Sequence, residues 1–299
     1  MSGRGGLKQA ADAAPLPPAK GARLLDAALT AYGRAFEHPC KIRFVRWLVR
    51  TFAGGRVNIR HVGGAVIAID PEDYIGWAIF RTGSYEPASL KLALRIMSAE
   101  PGLFVDVGAN FGWYTCAVAP IADATVIGIE PDAENCAALL ANIDRNGLRN
   151  VVVFHGAVGP QPALLTMARR SPGNSGTVAV ASGPTPGSGS YWTASTPLQD
   201  LLNALAQPAA RPVLIKIDVE GFEPQVLAGL DFAGPFRPKN ILIEYDRTLG
   251  AAAWGSFENF AAFFAQRGYD LFDVTGRRLT GDGPLLEENA WARDRDQTP

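Results

Sequence analysis

Asp106 and Glu130 bracket the stretch of this chain in which residue type and spacing point to chemistry, LFVDVGANFGWYTCAVAPIADATVIGIE from Leu103 to Glu130. Asp106 closes one short apolar run and Glu130 closes the next. Between them lies Gly108-Ala109-Asn110-Phe111-Gly112. Gly108 and Gly112 have no side chain, so a ligand can approach the backbone closely there. A carboxylate placed like Glu130 can accept both hydroxyls of a ribose. A second set, Asp218, Glu220 and Glu244, follows later apolar runs. Such carboxylates can take the proton of an acceptor hydroxyl, offset a cationic ligand, or hold a hard cation such as Mg²⁺. The residues leave that choice open.

The elements that must position these groups follow from length. Leu103-Phe104-Val105, bounded by Pro101-Gly102, is too short for a helix and reads as a strand. A helix-compatible run starts at Trp113, and Thr125 to Ile129 reads as a second strand. The result is one βαβ unit, with its turn where open α/β sheets bind ligands. A dinucleotide fingerprint starting at Gly108 needs glycine at 110 and 113, where the chain has Asn110 and Trp113. No Lys-Ser/Thr follows the turn, which excludes a P-loop. A ligand with an adenosine ribose and no pyrophosphate fits better, and S-adenosylmethionine is such a ligand. The competing reading is a crossover with no ligand.

Downstream, Pro131 and Asp132 open a helix to about Arg145, stopped by Asn146-Gly147. Val151 to Phe154 reads as the third strand, followed by His155, a weak candidate for a base. Leu164 to Arg170 and Thr177 to Ala181 read as strands of an insertion. The Gly/Pro/Ser loop from Ser182 to Ser190 is either a lid or a plain surface connection. Thr196-Pro197-Leu198-Gln199 has the form of a capping box opening a helix to about Gln207. Val213 to Val219 and Ile241 to Tyr245 read as the fourth and fifth strands, with a helix from near Pro224 to Gly229 between them. Lys216, Asp218 and Glu220 recur at period 2 and share a face if that strand persists. The alternative is a structural ion pair of Lys216 with Asp218 or Glu244. Asp246 joins Glu244 at the end of the fifth strand. Ser256 caps a helix to Gln266, and Gly268 to Val274 gives another strand.

Ahead of the βαβ unit, Met1 to Lys20 is rich in Gly, Ala and Pro and is expected to be disordered. Helical patterning begins near Arg23 and breaks at His38-Pro39. A second helix from Cys40 to Phe52 carries Ile42, Val45, Leu48, Val49 and Phe52 as an apolar stripe beside Arg43, Arg46 and Arg50. Packing on its own domain is the preferred reading of that helix, and weak contact with a membrane surface is the alternative. Arg56 to Asp70 reads as a β-hairpin around Gly63-Gly64. A polar turn runs from Asp70 to Tyr74, and Pro87 opens a helix to about Ala99.

Of 299 residues, 47% are hydrophobic, enough for one sizeable core. The net charge of -1 conceals 11 Lys+Arg against 3 Asp+Glu in residues 1–60. A basic segment of that kind suits an anionic partner or an acidic body of the same chain. Cys40, Cys116 and Cys136 show no metal or disulfide spacing, which suggests a reducing compartment. With no signal-type or membrane-spanning run, a cytoplasmic location is expected.

DVGANFGWYT, GIEPD and LIKIDVEGFEPQVLAGL, in this order and spacing, resemble the signatures of the FkbM family of S-adenosylmethionine-dependent methyltransferases. The similarity runs from about Asp70 to Asp273. It implies a class I, Rossmann-like α/β fold with a doubly wound, mostly parallel sheet. Residues 101–285 would form the cofactor-binding domain, after a tail at 1–22 and a helical and hairpin extension at 23–100, with a C-terminal tail at 286–299. The resemblance adds Tyr85 and Glu86 as residues capping the cofactor; the alternative is a helix N-cap and a packed ring. It places Ala157 and Val158 near the adenine, and Thr115 and Pro131 with Asp106, Gly108, Asn110, Gly112 and Glu130 as cofactor-binding. Their place at the carboxyl ends of neighbouring strands, beside the expected methyl donor, points Asp218, Glu220 and Glu244 to catalysis, with any metal undecided. The implied acceptor is a sugar, glycolipid or polyketide-type hydroxyl, and nucleic acid is not expected as a partner. An NAD-type oxidoreductase and a non-catalytic protein with a relic cofactor site are the rival readings.

Overall fold

The computed structural model describes residues 20–35, 40–61, 63–171, 173–181, 183, 189–205, 212–246, 248–281 and 285–296. Most of the expected tail at 1–22, the break at His38-Pro39, most of the loop from Ser182 to Ser190, and the far end of the helix near Gln207 lie outside them.

Two amphipathic helices open the chain, α1 (Lys20–Arg34) and α2 (Lys41–Phe52), followed by an antiparallel hairpin of β1 (Val57–Arg60) and β2 (Val66–Ile69). Next comes α3 (Tyr74–Thr82), which the sequence reading passed over as the sequel to a turn. Asp73 starts it by accepting from the backbone N–H groups of Ile75 and Gly76. Then follow α4 (Pro87–Ala99), β3 (Leu103–Val107), α5 (Trp113–Val118), β4 (Thr125–Glu130), α6 (Ala133–Arg145) and β5 (Val151–His155). An insertion contributes β6 (Ala157–Val158), β7 (Ala163–Arg169), a 3₁₀ turn at Ser175–Thr177, β8 (Val178–Ala181) and β9 (Tyr191–Thr196). The chain continues with α7 (Leu198–Asn203), β10 (Pro212–Ile217), α8 (Glu223–Ala228), β11 (Asn240–Glu244), α9 (Leu249–Trp254), α10 (Phe257–Gln266), β12 (Tyr269–Asp273) and β13 (Asn289–Asp294).

Among the described residues the central sheet has seven strands in the order β12-β13-β11-β10-β3-β4-β5. The five from β11 to β5 run parallel, and β13 pairs antiparallel with both β11 and β12. The chain winds outward from β3 through β4 and β5, then returns to its other side with β10 and β11. The crevice beyond the carboxyl ends of β3 and β10 is therefore the topological switch point, where doubly wound sheets bind ligands. A second sheet, β6-β9-β7-β8, holds the insertion.

Alternation along the strands divides the core. Leu103, Val105, Val107, Ile215, Ile217, Ile241 and Ile243 pack on one face with Val226, Phe260 and Phe264. Phe104, Leu214 and Leu242 pack on the other with Met97, Trp113 and Val118, and that cluster continues into Val45, Val49, Ile67 and Ile79 of the N-terminal elements.

Three expectations are corrected. Residues 289–294, read as part of a tail, form β13, buried between β11 and β12. The capping box at Thr196 is not made: Thr196 ends β9, Pro197 holds the N-cap position, and Gln199 bonds Asn203 and the backbone of Asp231 instead. The fourth strand stops at Ile217, so Asp218 and Glu220 do not share a strand face with Lys216.

Candidate active site

Register brings the charged residues together. Asp106 on β3 pairs with Lys216 on β10, and Lys216 pairs with Leu242 on β11. Asp106 also pairs with Gly128 on β4. Glu244 and Glu130 lie two residues beyond Leu242 and Gly128, so all four charged groups belong to one sheet face at its carboxyl edge. One cavity opens there. Tyr85, Glu86, Asp106, Gly108, Asn110, Glu130, Pro131, Ala157 and Val158 line it, together with Asp218, Glu220 and Glu244. Gly112 and Thr115, expected among the cofactor contacts, do not. Thr115 is wholly buried, its Oγ1 and backbone N–H donating to Asp106 Oδ2 at 2.7 and 3.0 Å. The backbone of Gly112 faces Leu139.

The turn after β3 is built from left-handed residues: Gly108 (φ 82°), Asn110 (φ 50°) and Gly112 (φ 92°). Asparagine tolerates this region because its short side chain bonds locally, and Asn110 Oδ1 accepts from the N–H of Phe111 at 2.8 Å. The backbone N–H groups of Gly108 and Ala109 donate to the Ile129 carbonyl, tying the turn to β4. Asn110 N–H donates to Glu130 Oε2 at 2.7 Å, and Asp132 N–H donates to Oε1 at 2.8 Å. Burial pushes Glu130 up to about 7 against those bonds.

Glu86 holds the N-cap position of α4 at φ 46°, yet its carboxylate does not cap the helix. Glu287 does so from the far end of the chain, accepting from the N–H groups of Ala88 and Ser89 at 2.9 and 2.8 Å. The Glu86 side chain instead accepts from the Tyr114 hydroxyl at 2.7 Å and from Asn289 Nδ2 at 3.2 Å. Burial pushes it up to about 7, with Lys216 pulling the other way. Beside it, Trp113 Nε1 donates to the Tyr85 carbonyl at 2.9 Å.

Lys216 is almost fully buried, 2.8 Å from Asp218 Oδ2 and over the Tyr114 ring at 4.6 Å. Burial disfavours its charge, but Asp218, Glu86 and Asp106 together raise its pKa. Past β10 the chain turns at Glu220 (φ 57°) and Gly221 (φ 94°). Glu223 Oε1 braces that turn by accepting from Val219 and Gly221 N–H at 3.2 and 3.0 Å. Burial, and then the charge of Asp218, push Glu220 up to about 7, while Arg170, 3.8 Å away, opposes this. Burial and the charges of Asp218, Glu220 and Glu223 hold Glu244 well above the usual carboxylate range. Asp246 serves as an anchor instead, its Oδ1 accepting from Thr248 and Leu249 N–H at 2.7 and 2.5 Å. His155 is exposed and off the cavity wall. Among the described residues, no group of three or more His, Cys, Asp or Glu is arranged to hold a metal ion.

Sequence reasoning missed the rest of the wall. Ile75 of α3, Met167 of β7, Ser175 and Gly176 of the 3₁₀ turn, and Val178 and Val180 of β8 also line the cavity. Asp73 couples two of these parts, since its Oδ2 accepts from Ser175 N–H. No local pattern announces contacts made across a hundred residues. Trp113 and Tyr114 also line the cavity and were not named from sequence, although they adjoin the turn.

In fold, the chain is similar to M. jannaschii TYW2 in complex with AdoMet, at 12% identity over 80% of this chain and 85% of that one, with a TM-score of 0.41. It is likewise similar to the O-methyltransferase TomG from Streptomyces achromogenes in complex with SAM (10% identity, 75% and 87% covered, TM-score 0.41). The O-methyltransferase from Bacillus cereus in complex with SAH gives 11% identity, 74% and 87% coverage, and a TM-score of 0.41. No curated protein matches the chain in sequence. The methyltransferase FkbM domain model matches residues 106–271, more than half of the chain, and the chain belongs to the FkbM methyltransferase family.

Proposed function

We propose that this chain transfers the methyl group of S-adenosylmethionine to a hydroxyl oxygen of a sugar, glycolipid or polyketide-type acceptor. The observation that carries the reading is electrostatic. Glu86, Asp106, Glu130, Asp218, Glu220 and Glu244 line the cavity, and Lys216 is the only basic residue among the described residues that do. A pyrophosphate is poorly received in such a site, whereas a cation is stabilised there, which counts against an NAD-type oxidoreductase. The residues therefore fit S-adenosylmethionine, which when bound supplies an electrophilic methyl on a positively charged sulfur. Glu130 would hold the ribose, with Pro131, Ala157 and Val158 beside the base. Glu86 and Asp106 would offset positive charge at the other end.

Glu220 is the better-matched general base, since a carboxylate near 7 is poised to take a proton at neutral pH. Asp218, paired with Lys216 at 2.8 Å, lies beside it. The chain's contribution is then positioning plus one proton transfer. Thermal shift with S-adenosylhomocysteine and NAD, followed by turnover on hydroxylated acceptors, tests the reading. S-adenosylhomocysteine should raise the Tm while NAD leaves it unchanged, and methyl should appear on oxygen. Stabilisation by NAD alone would overturn the proposal.

A further inference from the structure

The outer face of α2 is left uncovered. Val45 and Val49 bury its inner face, with Lys41 donating from Nζ to the Ala35 carbonyl at 2.8 Å. The apolar stripe expected from sequence is thus only partly inward, because Phe52 is 58% exposed. Phe44 and Trp47 are also open to solvent, at 44% and 54%. These rings form a contiguous group: Phe44 stacks on Trp47 at 5.8 Å, and Trp47 meets Phe52 edge-on at 6.0 Å. Single exposed apolar residues are ordinary, but a contiguous aromatic ridge marks an interaction surface. The exposed Arg43 and Arg50 sit among the rings, and α2 contains no acidic residue. Arg50, itself exposed, pairs with the partly buried Glu72, and solvent around the guanidinium screens the pair.

We propose that this face docks on an anionic lipid surface. Charge complementarity selects that occupant. Residues 1–60 carry 11 basic against 3 acidic residues, and this excess is what anionic headgroups attract. Aromatic rings at the level of the headgroups, flanked by arginines, are the composition of a helix lying in the interface. A protein–protein interface core is depleted of charge instead. The acceptor preference of the active site plays no part in this inference, so the two can fail separately.

The test is flotation of the full chain with vesicles of pure phosphatidylcholine and with vesicles containing about 30% phosphatidylglycerol, at low and at physiological salt. Binding to the anionic vesicles alone, weakened by salt, is expected. Phe44→Ser/Trp47→Ser/Phe52→Ser should reduce it by more than tenfold with little change in Tm, since these rings are already exposed. Arg43→Gln/Arg50→Gln should reduce it several-fold and flatten the salt dependence. Absence of binding at low salt overturns the proposal, and so does binding that survives the aromatic variant. Concentration-dependent self-association without lipid, abolished by that variant, would assign the face to a second copy of the chain and also overturn it.

Discussion

Lys216 Nζ lies 2.8 Å from Asp218 Oδ2, across the point where β10 gives way to a loop. The sequence offered two roles for Asp218, partner in an ion pair or participant in chemistry, and the geometry lets both hold. Lys216 has further carboxylates near it, Glu86 and Asp106, which also raise its pKa. Removing Asp218 alone therefore does not strand the lysine. Asp218→Asn should cost about 1.5–3 kcal/mol, the range for a hydrogen bond to a charged group. Lys216→Met leaves several buried carboxylates without a cation and should cost about 3–5 kcal/mol. Denaturant titration of both variants checks the order; a larger loss in Asp218→Asn would mean that Lys216 depends on that one partner.

Glu220 should set the pH dependence of turnover. With its carboxyl near 7, the rate should rise with pH through about 7 and then level off. Glu220→Gln should remove that limb and lower the rate by about 10²–10⁴. A rising limb that persists unchanged in the variant would move the base elsewhere, with Asp218 the next candidate.

Stability should show the opposite trend with pH. Glu86, Glu130 and Glu220 each rise from 4.5 to about 7 in the folded protein because burial disfavours their charge. The native state thus holds more protons than the unfolded chain between those values. Their contribution is fully present below about 4.5 and is lost as pH rises through about 7. The Tm of the cofactor-free protein should fall between pH 5.5 and 8, and Glu130→Gln should flatten the fall. If Glu130 holds the ribose as proposed, cofactor affinity should rise over the same window. A Tm that climbs with pH in wild type contradicts this account.

The sheet was legible because its strands are short apolar runs that end in carboxylates or glycines, and the parallel order follows from the winding. Asp106, Glu130 and Glu244 were legible as strand ends. Glu220 was placed correctly at the cavity but by the wrong route, since a left-handed turn braced by Glu223, not strand periodicity, points it there. Residues 289–294 escaped because β13 pairs with β11, roughly fifty residues earlier. Thr115, placed at the cofactor by the family resemblance, is buried and instead satisfies Asp106.

Glu287 offers a test of that long-range closure. It caps α4 with both carboxylate oxygens, and Ser89 Oγ donates to Oε2 at 2.7 Å as well. Glu287→Ala should cost about 1–2 kcal/mol, the upper half of the range for a lost cap. Because α4 starts at Glu86, the variant should also weaken cofactor binding, while Glu287→Gln, which keeps only one of the two accepting oxygens, should recover part of both losses. Unchanged calorimetric affinity in Glu287→Ala would confine the residue to stability.

Gly108 and Gly112 separate contact from conformation. Both have positive φ, at 82° and 92°, where a side chain adds roughly 1–2 kcal/mol of strain. Their surroundings differ. A Cβ on Gly108 would overlap the backbone carbonyl of Asp218, which cannot move without disturbing the link from Asp218 N–H to the Val107 carbonyl at 3.0 Å. A Cβ on Gly112 would come within 2.7 Å of Leu139 Cδ1, the end of a side chain that can turn away. Gly108 lines the cavity and Gly112 does not. Gly108→Ala should therefore push β3 and β10 apart at the switch point, lower the Tm sharply and weaken S-adenosylhomocysteine binding by more than tenfold. Gly112→Ala should lose stability by an amount set mainly by its φ and keep its affinity within a few-fold. Calorimetry and thermal melts on the two variants decide it: equal losses of affinity would return Gly112 to the cofactor site.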